Sequence, residues 1–180
     1  VRYAGNSSAC SEEEFEDTFR TAVNNRLLSD VELGVYLSGG VDSKSIAYEL
    51  ARAKSSSEKI KSFTVGFTHE GYDETDEALS FAAHSGFSPH VLRIDNDALN
   101  YSYPIAVQGS ELVQPYTNGA AKWWLSLFTR RYVQGVLTGD GADEVFCGYP
   151  SYRYTNWWKF VMRGRGKAKT AGDIKRKFAK

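Results

Sequence analysis

Apolar positions along this chain follow two rhythms in turn. Short β-branched and aromatic runs alternate with longer stretches in which apolar residues recur every three to four positions. Phe15, Phe19, Val23 and Leu27 set the first helical spacing. Ser11 followed by Glu12, Glu13 and Glu14 predicts a capped start with acids in the first turn, and an end near Ser29 and Asp30. A strand is predicted over 32–37, then a helix over 42–53 with Ile46, Ala47, Leu50 and Ala53 at helical spacing. After the Ser55, Ser56, Ser57 loop, alternation and β-branched content over 61–67 predict a second strand ending at Gly66. Asp73 and Glu74 open a third helix that runs through Ala78, Phe81 and Ala82 to a stop at Gly86, with a third strand over 89–94. Residues 96–108 are predicted helical, and 117–131 more firmly so, with Trp123, Trp124, Leu127 and Phe128 available for packing. Gly135, Val136, Leu137 and Thr138 form the fourth predicted strand.

Strand, helix, strand, helix, strand is the pattern of an α/β protein. It predicts an open parallel sheet with flanking helices and right-handed crossovers. With 180 residues and 42% hydrophobic content, the chain has material for the core of one domain, expected over 11–152, with residues 1–10 as a tail or linker. Lys plus Arg and Asp plus Glu each total 22, so net charge argues for no nucleic-acid partner. The two cysteines, Cys10 and Cys147, match no metal-binding spacing, and a reducing, cytoplasmic setting is expected. No apolar stretch approaches the roughly twenty residues needed to cross a bilayer, so no membrane partner is expected. Residues 153–180 are first aromatic (Tyr154, Trp157, Trp158, Phe160) and then basic (Arg163 to Lys180), which predicts a partner-docking or truncated region.

The candidate chemistry lies at two strand ends. Ser38, Gly39, Gly40, Val41, Asp42 and Ser43 stand between a predicted strand and a predicted helix, where backbone N–H groups and the helix dipole favour pyrophosphate. The Walker-type spacing is absent. Gly139, Asp140, Gly141, Ala142, Asp143 and Glu144 follow the fourth strand. Ligands of open parallel sheets bind beyond the carboxyl ends of strands where strand order reverses, so the two loops are expected to face one crevice. One loop offers N–H groups and the other carboxylates. Asp140 and Asp143 would share a face if a helix starts at Gly141, aimed at the same space as Asp42. Oxygen ligands suit Mg2+, which binds through one or two carboxylates plus substrate phosphates. The alternative is that these acids only cap a helix.

These residues resemble a known family. The 38–43 run matches the pyrophosphate loop of the ATP pyrophosphatases, and the run from Val136 through Asp140, Asp143, Cys147 and Gly148 to Tyr149 resembles the second signature of the asparagine synthetase synthetase domain. Supporting resemblance lies in residues 26–31 and 62–67 and in Tyr72, Asp73 and Glu74, so that together the motifs span 12–152. The resemblance implies an adenine nucleotide alpha hydrolase-like fold and an amidoligase that uses ATP and Mg2+. In such enzymes a substrate carboxylate is adenylated with release of pyrophosphate, and ammonia or an amine then forms the amide. It further implies that Ser38, Gly39, Gly40, Asp42 and Ser43 hold the β and γ phosphates, and that Leu37, Val65 and Gly66 border adenine. Thr138 and Gly139 would lie beside the ribose and α-phosphate. Asp42 and Asp143 would hold Mg2+, and Asp140 would stand near the reacting carboxylate.

The family's usual architecture also carries an amino-terminal glutaminase domain and a longer carboxyl-terminal part. Neither resembles any segment here, so a glutaminase domain or a complementary synthetase chain is an expected partner; ammonia in solution or a substrate amine are the other nitrogen sources. Cys147 stands where the signature commonly has glycine and is expected to be a packing residue. His69, His84 and His90 show no ligand spacing and are expected at the surface or in loops. Alternatives are a lactam- or peptide-cyclising synthetase of the same mechanism, and a non-catalytic nucleotide-binding subunit. Sulfur transfer or RNA modification is disfavoured by the lack of a suitable cysteine pair.

Overall fold

A computed structural model describes residues 11–54, 59–68, 73–111 and 118–152, together with Tyr154 and Trp158. The predicted tail over 1–10, the serine loop, His69, Tyr72, Trp157, Phe160 and the basic segment over 163–180 lie outside these. The chain divides into two units, Val1–Gly139 and Asp140–Lys180.

The first unit runs α1 (Glu12–Arg26), β1 (Leu33–Tyr36), α2 (Val41–Ala53), β2 (Lys61–Phe67), α3 (Thr75–His84), β3 (Ser88–Ile94), α4 (Asn96–Ser110), α5 (Asn118–Thr129) and β4 (Gly135–Leu137). The strands form one sheet in the order β3-β2-β1-β4, and every pair is parallel. This is the predicted α/β architecture with an open sheet. Register pairs Val35 with Ser62 on one side and with Leu137 on the other. Among the described residues no helix is long and apolar enough to cross a membrane.

Helices cover both faces of the sheet, and each face has its own core. On one side Val35 and Leu37 meet Ala47 and Leu50 of α2 and Ala78 and Ala82 of α3, closed by Ile60 and Phe87. On the other, Phe63 packs with Leu125 of α5 and Val133, and Tyr36, Val65, Phe128 and Val136 lie against them. Successive residues of β1 therefore serve opposite cores, as the pleat requires. Phe63 is fully buried, its ring 5.3 Å from His90, 6.3 Å from Phe128 and 5.7 Å from Tyr132.

Several boundaries and exposures differ from the sequence reading for identifiable reasons. In β2 the burial is continuous over Ser62, Phe63 and Thr64 rather than alternating, because a parallel strand covered on both faces has no wet side. Ser11 does cap α1, accepting the Glu14 N–H at 3.1 Å, but the helix stops at Arg26 rather than near Ser29. Leu27 turns in against the first core, and the Ser29 hydroxyl instead accepts the Val31 N–H at 3.2 Å to shape the link to β1. Of the apolar row on α1 only Val23 is buried, and Phe15 is 44% exposed, stacked on Phe19. His84 is exposed as expected, but His90 sits on β3, half-buried against Phe63 and Tyr132. Gly86 follows α3 at φ +74°, where a side chain would be strained.

The second unit opens with α6 (Ala142–Phe146), for which Gly141 at φ +94° is the N-cap. Asp140 therefore precedes the cap and lies outside the helical repeat, so the expected shared face with Asp143 does not form. The physical reason is the left-handed turn at Gly141, which breaks the spacing before the helix begins. Cys147 is exposed and caps the carboxyl end of α6 at φ +57°. It is not a packing residue: the left-handed end of a helix is glycine's position, and the thiol has taken it.

Two stability predictions follow from this packing. Phe63→Ala should lower unfolding free energy by about 3–5 kcal/mol, read by urea denaturation. Cys147→Gly should relieve about 1 kcal/mol of left-handed strain and raise the protection of α6 amides against hydrogen exchange. Unchanged or lower protection would contradict the strain.

Candidate functional site

β1 ends by delivering Leu37 into the first core, with its N–H bonded to Phe63 O at 2.9 Å and its carbonyl accepting the Thr64 hydroxyl at 2.8 Å. The chain then turns sharply. Ser43, buried on the first turn of α2, places its hydroxyl 3.1 Å from the Ser38 N–H and 3.0 Å from the Ser38 hydroxyl, and near the Ser38 and Gly40 carbonyls. The Ser38 hydroxyl in turn accepts the Gly40 N–H at 3.1 Å. Two neutral hydroxyls thus staple the loop shut from within. Ser43 and Ser38 spend their side chains on the shape of the turn.

β4 exits against this loop. A Cβ added to Gly139 would lie 2.9 Å from Ser43 N and 3.1 Å from both the carbonyl carbon and the Cβ of Asp42. Only glycine permits such an approach of backbone to backbone. Inside the first unit the end of β4 therefore lies against Asp42 and Ser43 at Gly139. Topology causes it: β1 connects onward to β2 on one side and pairs with β4 on the other, which makes the β1/β4 boundary the point where strand order reverses.

On the other flank, Gly66 at the end of β2 faces the start of α3. A Cβ there would lie 2.6 Å from Thr75 Oγ1, so Gly66 is kept bare by its neighbour. Val65 turns toward the second core. Asp73, not singled out from the sequence except as a matching residue, organises this corner. Its carboxylate accepts both the N–H and the hydroxyl of Thr75 and pairs with Arg93 Nη1 at 3.1 Å. The Thr75 hydroxyl above all, with the Thr75 N–H and the Arg93 guanidinium, holds the Asp73 carboxyl below its ordinary value of 3.8, against a smaller opposing effect of burial.

Glu74 is the residue that sequence reasoning missed. It reaches across from the head of α3 and accepts the Gly39 N–H on Oε2 at 3.0 Å. Lys44, one residue beyond the loop, pairs with Glu77 at 3.6 Å. A carboxylate oxygen of this same chain thus already partners the Gly39 N–H. As for Mg2+, no group of three His, Cys, Asp or Glu side chains is poised to hold a metal among the described residues. That is compatible with an ion that takes one or two carboxylates and completes its shell with substrate phosphate and water. Asp42, partly exposed on the first turn of α2, is the donor the first unit offers.

In the second unit the Asp143 carboxylate rests on Gly148, whose N–H bonds the Asp143 carbonyl at 3.0 Å. A side chain at 148 would displace it. Tyr149 donates its hydroxyl to Glu144 Oε1 at 2.7 Å, and this bond, supported by burial and by the negative charge of Glu144, pushes the phenol up to about 12. Glu144 is thereby tied within its own unit.

Comparison with known proteins places these features in context. The asparagine synthase family matches residues 14–180. The chain is 36% identical over 164 residues to amidase chyE of Penicillium rubens, covering 81% of this chain and 24% of that protein. It is 33% identical over 142 residues to the glutamine-hydrolyzing asparagine synthetase 1 of Bacillus subtilis, covering 78% and 22%. The chain therefore spans about a quarter of the length of these relatives. Among solved structures it is similar to an NMN synthetase from Francisella tularensis (TM-score 0.53, 16% identity, 77% of this chain and 58% of that one). It is also similar to an NH3-dependent NAD synthetase from Campylobacter jejuni (TM-score 0.54, 17% identity, 76% and 60%). These likenesses establish the adenine nucleotide alpha hydrolase fold.

The Asp73 corner gives a pH prediction. A carboxyl held below 3.8 in the folded state stabilises the fold fully above that value and loses its contribution as pH falls through the lower folded value. Wild type should therefore be more stable than Asp73→Asn at about pH 5, and the gap should close toward about pH 2, read by urea midpoints. A gap that stayed constant would show that the charge of Asp73 plays no part.

Proposed function

This chain belongs to the asparagine synthase family, and we propose that it is the nucleotide-handling part of an ATP-dependent amidoligase. Support comes first from the close approach of Gly139 to Asp42 and Ser43 at the reversal of the sheet. In this reading Ser38, Gly39, Gly40, Asp42 and Ser43 hold the β and γ phosphates, with the Gly39 N–H and the Lys44 ammonium the donors not spent within the loop. Thr138 and Gly139 lie along the α-phosphate and ribose, and adenine lies toward Leu37, Val65 and Gly66. Asp42 and Asp143 would hold Mg2+, which when bound supplies charge neutralisation at the phosphates.

A carboxylate oxygen of the acceptor attacks the α-phosphorus, and the bond from that phosphorus to the oxygen bridging to the β-phosphate breaks. Pyrophosphate leaves with the electron pair, giving an acyl-adenylate. Ammonia or an amine then attacks the acyl carbon, the carbon–oxygen bond to AMP breaks, and the nitrogen loses a proton. The residues of this chain contribute positioning and donors, because an anionic nucleophile reaches an anionic phosphate only when repulsion between them is cancelled. Asp140 is proposed to stand near the reacting carboxylate. The acceptor is a small-molecule or peptide carboxylate; aspartate is the family's default, and the equally close similarity to a protein named an amidase favours the wider class.

Since the chain spans about a quarter of its relatives, turnover is proposed to require the remainder of a synthetase, on the same or a complementary chain, and a glutaminase domain is a proposed source of ammonia. A second reading, a nucleotide-binding subunit without turnover, rests on that same length and predicts ATP binding without AMP. The test is release of AMP and pyrophosphate from ATP and Mg2+ with an added carboxylate, with and without a chain carrying the remaining synthetase sequence. The amidoligase reading predicts stoichiometric AMP, pyrophosphate and amide, and a loss of about 10²- to 10³-fold in Asp143→Ala with the melting midpoint nearly unchanged. Pyrophosphate exchange unaffected by that substitution would overturn the assignment of Asp143.

A further inference from the structure

The donors of the 38–43 loop are met by carboxylates of this same chain. Glu74 Oε2 lies 3.0 Å from Gly39 N, and a Cβ built on Gly39 would lie 3.2 Å from that oxygen and 2.6 Å from Glu77 Oε2. Lys44, one residue beyond the loop, is paired to the same Glu77. Two carboxylates from the head of α3 thus crowd one amide and one ammonium.

The backbone that carries Glu74 is pinned. Asp73 binds Thr75 and Arg93, Thr75 is fully buried against Gly66, and the Ala78 N–H bonds the Glu74 carbonyl at 3.2 Å. The Glu74 side chain is exposed and can swing away by rotation about its own bonds, with no movement of the helix. A carboxylate and a phosphate cannot share the Gly39 N–H, because like charges at hydrogen-bond range repel.

We propose that Glu74, assisted by Glu77, is a resident anion that closes the phosphate loop and must be expelled by the incoming polyphosphate. This rests on the nucleotide reading of the loop and adds a regulation of that site. The closure is a charge gate. It lowers affinity for every phosphate ligand, and a multiply charged polyphosphate outcompetes it where a singly charged anion does not. Removing the charge should therefore strengthen binding. A mere loop-positioning role would make the same substitution weaken it.

The experiment is isothermal titration of the full chain with Mg-ATP and, separately, with inorganic pyrophosphate, for wild type, Glu74→Gln and Glu74→Ala. Folding of each is checked by its melting curve. The gate predicts about three- to tenfold tighter binding in Glu74→Ala, with Glu74→Gln between it and wild type because the amide oxygen still accepts from Gly39 but carries no charge. Equal affinities, or weaker binding in both variants, would overturn the gate while leaving the nucleotide reading intact. Absence of binding in all three proteins would overturn the nucleotide reading and the gate with it. Binding by the variants alone would support both.

Discussion

The approach of Gly139 to the first turn of α2 is the constraint on which the rest of the structure depends. A Cβ at 139 would lie 2.9 Å from Ser43 N, which leaves no room for a side chain there and sets the exit of β4 against the peptide between Asp42 and Ser43. Three features combine to make it possible. The order β3-β2-β1-β4 sets β4 beside β1, the Ser38 and Ser43 hydroxyls keep the loop narrow, and the cores on the two faces hold both strands in register. Loosen any of these and Gly139 would leave the first turn of α2.

The loop's chemistry follows from how its polar groups are spent. Neutral hydroxyls satisfy one another and the adjoining backbone, the Gly40 N–H included, so they cost no charge burial and leave the Gly39 N–H to an acceptor from outside the loop. An anion then becomes the natural partner of that amide, whether it is a carboxylate of the protein or a phosphate. Asp73 and Glu74, adjacent in sequence, divide the work: the first fixes the head of α3 through Thr75 and Arg93, and the second extends from that fixed point to Gly39. Membership of the asparagine synthase family gives this arrangement its setting, with Glu74 as the contact specific to the geometry described above.

Most of the fold was legible in the sequence because helix and strand periods alternate cleanly from Ser11 to Leu137. The alternation failed only where tertiary cover overrode it, as in β2, which is buried on both faces, and in α1, whose aromatic row is left largely uncovered. The end of α1 was misjudged because Leu27 leaves the helical repeat to cap it with a backbone bond to Asn24 O and to pack on the first core. The 38–43 segment was legible as a tight strand-to-helix turn because glycine and serine favour one there. Glu74 was not, since a carboxylate reaching a loop thirty-five positions away leaves no local pattern. The left-handed turn at Gly141 was likewise invisible, and it removed Asp140 from the helical spacing assumed for it.

Backbone amide NMR of the full chain, titrated with Mg-ATP, tests most directly whether the turns after β1 and β4 act as one site. The account predicts that the amides of Gly39, Gly40, Thr138 and Gly139 shift together and saturate along a single binding curve. Shifts confined to one turn, or two turns that titrate with different affinities, would contradict it.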